Sequence, residues 1–437
     1  MIPVLRGLRL LRVEAYDMKR VVNFVVGSIL IVGIARAQDS PKYSVVDLGT
    51  LPGGAFSQAT AVNDNRLVTG ISADKDGTQQ AMLWWAMFRI NIGTPGLNSG
   101  AFAANSRGQA AVEAEVASPD PNNENFCAYG TGRKCLPFIW DGGGLRQLPL
   151  LGGNNGSVGS FINNRGEVAG GAETAAREPN CPPGVSVSGT GPQSLNFQAV
   201  VWGPGVGQIR TLAPLPGDTL VMATAINDHG QAVGATGTCA NLVLPPLAFG
   251  PHAVLWDTDG KPQDLGNLGS TALNIALAVN NKTQVVGVSS LYPDSSPFGG
   301  SHAFLWQRGV IKDLGTLPGD VQSVAQSIND EGQVAGVSFD EHGNPRPFLW
   351  QNGVMQDLNE LVVGGAPLLL LFGPFINNNG EIAGFGVTDH GDVHAFLASP
   401  VAGGSEEGRM RPTLPEGLRQ IIGEGHGWFT LGERRAR

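Results

Sequence analysis

Apolar and polar positions along this chain repeat as a cassette. It is plainest over residues 313–350, DLGTLPGDVQSVAQSINDEGQVAGVSFDEHGNPRPFLW. Short runs of alternating apolar residues are broken by Gly, Pro, Asn and Asp, the pattern of brief β-strands joined by tight turns. In this unit the pattern predicts strand A at 321–328, strand B at 333–338, strand C at 346–350 and strand D at 353–358.

Four columns recur. The first is an Asn opening a turn: Asn63, Asn105, Asn163, Asn227, Asn280, Asn329 and Asn377. Three residues later stands Gly108, Gly166, Gly230, Gly332 or Gly380, with Arg66 and Thr283 as departures. Asn starts a turn through its side chain and Gly ends it at positive φ, so each pair marks a hairpin. The second column lies seven residues after the Asn: Gly70, Gly170, Gly234, Gly287, Gly336 and Gly384, with Val112 as the exception. Gly inside a strand signals close backbone approach. The third is a Trp ending an apolar run: Trp84, Trp140, Trp202, Trp256, Trp306 and Trp350. Its strict period and apolar flanks assign it to packing between repeats rather than to sugar stacking. The fourth is a short strand ending near Leu48, Ile92, Leu148, Leu212, Leu265, Leu314 and Leu358.

Four strands per unit and seven units predict an all-β fold, a seven-bladed β-propeller. Successive turn Asn residues are 42, 58, 64, 53, 49 and 48 apart. The shortest interval matches the ~40–50 residues of a single blade. One D-type strand, 43–48, precedes the first A strand, and the last unit stops after strand C near Pro400. Joining the two completes the seventh blade, closes the ring and hides its edges. A β-solenoid, the main alternative, leaves that matched deficit unexplained.

Composition adds limits. Of 437 residues 63 are Gly and 29 Pro, with 42% hydrophobic and 15% charged. That excludes a disordered chain and a coiled coil. Residues 38–400 carry 16 basic and 30 acidic side chains, a net of −14. So acidic a body repels phosphate backbones, which argues against nucleic acid as a partner. The N-terminus predicts export: Lys19 and Arg20, an apolar stretch over 21–34, then Ala35-Arg36-Ala37. The expected start is Met18 and the expected cleavage follows Ala37, giving a secreted or periplasmic protein. The 14-residue stretch is short of the ~20 needed to span a bilayer, and a retained anchor is the alternative. The body is then one domain at 38–400, a monomer without a membrane span, followed by a tail at 401–437 with a candidate helix at 414–422.

The cassette resembles the HAF repeat of bacterial extracellular proteins. The residues that carry the likeness are His302-Ala303-Phe304-Leu305-Trp306, His394-Ala395-Phe396-Leu397, Asp313-Leu314-Gly315 and Asn329-Asp330-Glu331-Gly332, with His252-Ala253-Val254 as a partial match. It covers about 45–400. The resemblance implies export and repetition, and it implies no catalytic residues.

Length variation is concentrated between strands B and C. The interval from the strand-B position to Trp runs from 14 to 32 residues, against 8 to 10 from Trp to the next D strand. In a propeller these loops share a face with the D–A linkers. Long irregular loops are commonly functional, so the face carrying 117–136, 172–196 and 237–251 is the expected interaction surface, for a protein or carbohydrate ligand. Neutral drift in exposed loops is the alternative. All four cysteines, Cys127, Cys135, Cys181 and Cys239, lie in these insertions. An even number in an exported chain points to disulfides. Of three pairings, Cys127–Cys135 and Cys181–Cys239 join near neighbours.

Other chemistry is sparse. His252, His302 and His394 start strand C in separate blades, which suits a repeated structural hydrogen bond better than one metal centre. Asp218 and Asp320 sit in Leu-Pro-Gly-Asp linkers on the same face and are candidate binding residues. Asp74-Lys75-Asp76-Gly77 and Asp257-Thr258-Asp259-Gly260 faintly suggest calcium loops; no other cofactor is implied. No G-x-S-x-G, H-E-x-x-H or phosphate-loop signature occurs. The expectation is a binding or scaffold module, with a secreted polysaccharide hydrolase or lyase acting at the axial pocket as the alternative.

Overall fold

The computed structural model describes residues 40–401 apart from 87, 95, 125, 178–194, 239–249 and 293–299. The expected leader, the tail beyond Val401, Cys181 and Cys239 lie outside the described residues.

Seven four-stranded antiparallel sheets form the seven blades of a β-propeller. Blade 6 is typical, with strands Gln322–Ile328, Val334–Phe339, Pro345–Gln351 and Val354–Asp357, each within a residue or two of its predicted span. Blade 7 takes Leu369–Ile376, Ile382–Val387 and Val393–Val401 from the end of the chain and its outer strand, Lys42–Asp47, from the beginning. That strand runs antiparallel to Val393–Val401, from Lys42↔Val401 to Asp47↔Phe396. Tyr43 is fully buried there, and its hydroxyl donates to the Gly380 carbonyl at 3.1 Å.

The turn asparagines do more than turn the chain. Asn329 Oδ1 accepts from the Glu331 and Gln333 N–H groups, at 3.1 and 3.0 Å, which fixes its own hairpin. Its Nδ2 donates to the Asn377 carbonyl of the next blade at 3.0 Å. The same bond runs from Asn63 to Asn105, on to Asn163, Asn227, Asn280, Asn329 and Asn377, and back to Asn63, at 2.8–3.1 Å. This is a closed circuit of seven. A second chain at the following residue runs from Asn164 through Asp228, Asn281, Asp330 and Asn378 to Asp64, the main-chain N–H of each of the first five reaching the next side-chain oxygen. It is interrupted at Ser106, which donates to Asn164 but whose hydroxyl stands where the others carry an amide or carboxylate. At the two departures from the turn Gly, Arg66 and Thr283 still adopt φ of 64° and 56°.

Every A strand shifts register against its B strand just before the turn. Such a bulge bends the strand and brings its backbone forward. A Cβ on Gly234 would lie 1.9 Å from the Met222 carbonyl oxygen, so this position leaves no room for a side chain, whereas blade 2 keeps the register shift with Val112 in the column.

The Trp column packs blade on blade. Trp256 is fully buried among Ala169, Val201 and Leu212 of blade 3, and its indole donates to the Ala213 carbonyl at 2.7 Å. Trp202 does the same to Pro149 at 2.7 Å. Trp140 is half-buried. Trp256→Ala is expected to lower folding stability by about 3–5 kcal/mol, the cost of truncating a buried aromatic. Chemical denaturation reads it, and an unchanged midpoint would refute the packing role.

Candidate functional site on the B–C face

The A–B turns occupy one end of the propeller, and B–C loops and D–A linkers the other. At that second end a strand-B hydroxyl tethers the linker entering its own blade. Ser72 Oγ accepts from Leu51 N–H and Ser289 Oγ from Leu268 N–H, both at 2.8 Å, and Ser338 Oγ from Leu317 N–H at 3.1 Å. Blades 2 and 3 carry Ala114 and Ala172 at this position. There the next residue, a Glu, takes over. Glu115 accepts from Asn98 Nδ2 at 2.9 Å, and Glu173 from the Asn154 and Asn155 N–H groups at 3.0 and 2.9 Å.

These glutamates anchor an insertion. Strands B and C of blade 2, Ala110–Pro119 and Arg133–Trp140, flank it. Asp120 opens it by accepting from Asn122 and Glu124 N–H groups at 2.8 and 3.1 Å. Cys127 and Cys135 form a disulfide across it, as the sequence suggested. Phe126 packs against Phe197 of blade 3, with ring centroids 5.2 Å apart. Both belong to an apolar cluster with Leu220 and Met222 of blade 4 and Leu273 and Ile275 of blade 5. The insertion thus reaches across blades rather than outward.

Beneath it lie five buried carboxyl groups: Glu113, Glu115, Asp120, Glu124 and Glu173. Asn155, itself fully buried, donates through Nδ2 to Asp120 at 2.8 Å and Glu173 at 3.0 Å, and accepts from Cys135 N–H at 2.9 Å. Burial pushes Glu113 up to about 7, against hydrogen bonds from Ser157 and Val158 N–H. Burial, and then the charge and hydrogen bond of Glu124, push Glu173 up to about 8. Glu124 and Glu173 thus meet carboxyl to carboxyl, a contact that calls for a proton on one of them. Tyr129 is raised well above the usual phenol range, by burial and then by Glu113 and Glu115. The Glu113 carboxyl lies within 4.8 Å of both cysteine sulfurs, but the disulfide occupies those sulfurs and leaves no ligand set.

The residues singled out in the sequence stay in their separate blades. His252 Nδ1 meets Asp264 at 3.3 Å, His302 meets Asp313 at 2.9 Å and His394 meets Asp47 at 2.8 Å. Each Asp also starts the D–A linker, accepting from an N–H two residues on, as at Gly315 and Gly49, both 2.7 Å. In blade 6 Arg346 replaces His and pairs with Asp320 at 2.7 Å and Asp357 at 3.7 Å. The Asp320 side chain is only 2% exposed. Asp218 accepts from the Thr236 hydroxyl at 2.5 Å. The calcium-like loops are hairpin turns: Asp74 Oδ1 accepts from Asp76 and Thr78 N–H, and Asp259 pairs with Lys261 at 2.9 Å. Phe161 of blade 3 packs into the cluster shared by blades 5 and 6, two blades away.

The five carboxyls were not singled out in the sequence. Their signal was the loss of the strand-B Ser in blades 2 and 3 together with Glu at the next position.

The chain has the β-propeller architecture of solved structures with little sequence in common. It resembles an acylaminoacyl peptidase from Pyrococcus horikoshii at 11% identity and a TM-score of 0.47, covering 78% of this chain and 51% of that one. This chain therefore spans about half the peptidase's length. The β-propeller domain of the trilobed protease from Pyrococcus furiosus matches at 11% identity and a TM-score of 0.43, over 84% of this chain and 99% of that one. The Aleuria aurantia lectin matches at 10% and 0.30, over 81% and 98%. No family model and no curated protein matches the sequence. No helix among the described residues is long and apolar enough to cross a membrane.

The His–Asp pairs give a pH signature. Burial works to raise Asp47 and Asp313, but hydrogen bonds from His394 or His302 and from the linker N–H outweigh it and hold both below the usual carboxylate range. A lowered carboxyl stabilises the fold above its unfolded value, ~3.9, and that contribution is lost as pH falls through the lower folded value. The double variant His302→Gln, His394→Gln should lose less stability between about pH 5 and pH 2 than the parent. Denaturant midpoints across that range check it; an equal loss would contradict it.

Proposed function

We propose that the protein is an exported binding or scaffold module of the HAF-repeat type, acting as a monomer, whose B–C face is its interaction surface for a protein or carbohydrate ligand. One observation carries this reading: the two ends of the propeller differ in kind. The A–B end is seven near-identical hairpins whose side chains close the ring on one another. The B–C end holds the length variation and a disulfide-stapled insertion fixed by buried carboxyls and an apolar cluster. Ordering a loop costs conformational entropy, and a face ordered in this way suits recognition. The disulfide fits an oxidising compartment and hence the export signal.

The hydrolase alternative finds its acid–base candidates in Glu124 and Glu173. Both are fully buried, which disfavours it.

The purified protein should bind one member of a panel of soluble polysaccharides and peptides saturably, with no release of new reducing ends. Substitution at the exposed insertion tip, Asn123→Lys, should weaken binding at least tenfold. Arg107→Glu and Lys282→Glu on the A–B turns should leave it unchanged. Polysaccharide turnover, or binding that follows the A–B variants instead, would overturn the reading.

A further inference from the structure

The blade 2 insertion is held down over a cluster of buried carboxyl groups. Glu113 and Glu115 approach from strand B of blade 2, and Asp120, Glu124, Tyr129 and Thr131 from the insertion. Asn154, Asn155 and Ser157 approach from strand A of blade 3, and Glu173 from its strand B. Asp120 and Glu124 ride on the insertion, whereas Asn155 and Glu173 belong to the neighbouring blade. The contacts Asp120–Asn155 and Glu124–Glu173 are thus the seam along which the insertion meets blade 3. The seam needs a proton: two carboxyls bond each other directly only if one is protonated. The disulfide ties Cys127 back to Cys135 on strand C, so the far half of the insertion stays anchored. The described part of the free arm is Pro119–Glu124 together with Phe126, which lies against Phe197.

We propose that this arm is a proton-dependent flap on the B–C face, seated while the Glu124–Glu173 pair holds its proton and lifted when it ionises, uncovering the apolar surface around Phe197. The proposal rests on the reading of this face as the interaction surface and supplies its regulation. The sign follows from linkage. A carboxyl raised in the closed form favours that form below its ordinary pKa. The advantage is lost as pH rises through the raised value, about 8 for Glu173. Each proton required by the closed form changes the closing equilibrium up to about tenfold per pH unit in that window. Lifting the arm also exposes Leu220 and Met222 beneath Phe126, a patch suited to an apolar or aromatic ligand surface. Ligand capture through the open form would then strengthen from mildly acidic to mildly alkaline conditions.

Hydrogen exchange tests this without any ligand. Protection factors, which remove the intrinsic pH dependence of exchange, would be measured from about pH 6 to pH 9. The peptides are those covering 116–134 and, as reference, Val334–Phe339 of blade 6. In the parent protein, protection of the arm should fall at least tenfold while the reference stays level. Glu173→Gln retains a neutral hydrogen-bonding partner for Glu124, so its arm should stay protected to pH 9; Glu124→Gln should behave alike. A level profile in the parent, or the same fall in both glutamine variants, would overturn the flap. The reference strand reports whether a variant has folded. Because no ligand enters the readout, a failed flap leaves the assignment of the face standing. A failed binding screen leaves the exchange result intact.

Discussion

Seven amide side chains, each donating to a carbonyl one blade on, set the form of this molecule. A propeller's blades meet their neighbours mainly through apolar packing, which is non-directional. Packing alone does not fix how many blades fit around an axis or at what height each sits. The Asn circuit does, because a hydrogen bond tolerates only a few tenths of an ångström. Each Asn has four hydrogen-bonding sites, and those of Asn280 are all filled. Its oxygen accepts from the Lys282 and Gln284 N–H groups, and its nitrogen donates to Gln284 Oε1 and the Asn329 carbonyl. One side chain thus shapes its own hairpin and positions the next blade.

That constraint propagates outward. The hairpins hold the ends of the innermost strands, where the chain is most crowded. The bulge in each A strand lets the strand bend into the turn, and in six blades the strand-B glycine leaves its side-chain space to the bulged backbone, while blade 2 accommodates Val112. Farther out the Trp column fills the wedge between blades, and Trp202 and Trp256 donate to the preceding linker. The His–Asp pairs secure the next strand out, and blade 6 substitutes Arg346 for the same task. Closure of the A–B end leaves the opposite end free to vary in length without disturbing the ring.

What the sequence made legible follows from this division. Columns repeated at fixed spacing showed the blade count, the strands and the strand exchange that closes blade 7. Asn329 announced a turn, because a turn is local. Its bond to Asn377, 48 residues on, needed the ring to be assembled first. The carboxyl cluster was harder still. Glu115 and Glu173 carried no mark of their own in the repeat, and their meaning appears only when Asn98 arrives from the linker and Asn155 from strand A of blade 3. The local pair Cys127–Cys135 was readable from separation alone, whereas Phe126 reaching blades 4 and 5 was not. Asp218 and Asp320 looked like free linker acids, and the structure ties them to Thr236 and Arg346.

The central claim is that the bond between blades, not merely the turn, holds the ring. Asn280→Asp separates the two. The carboxylate still accepts from Lys282 and Gln284, so the hairpin is kept, but it cannot donate to Asn329 and faces a bare carbonyl oxygen. Unfolding in denaturant should show a loss of about 1–3 kcal/mol, the cost of a buried group left unsatisfied, in a single cooperative transition. A variant as stable as the parent would contradict the account.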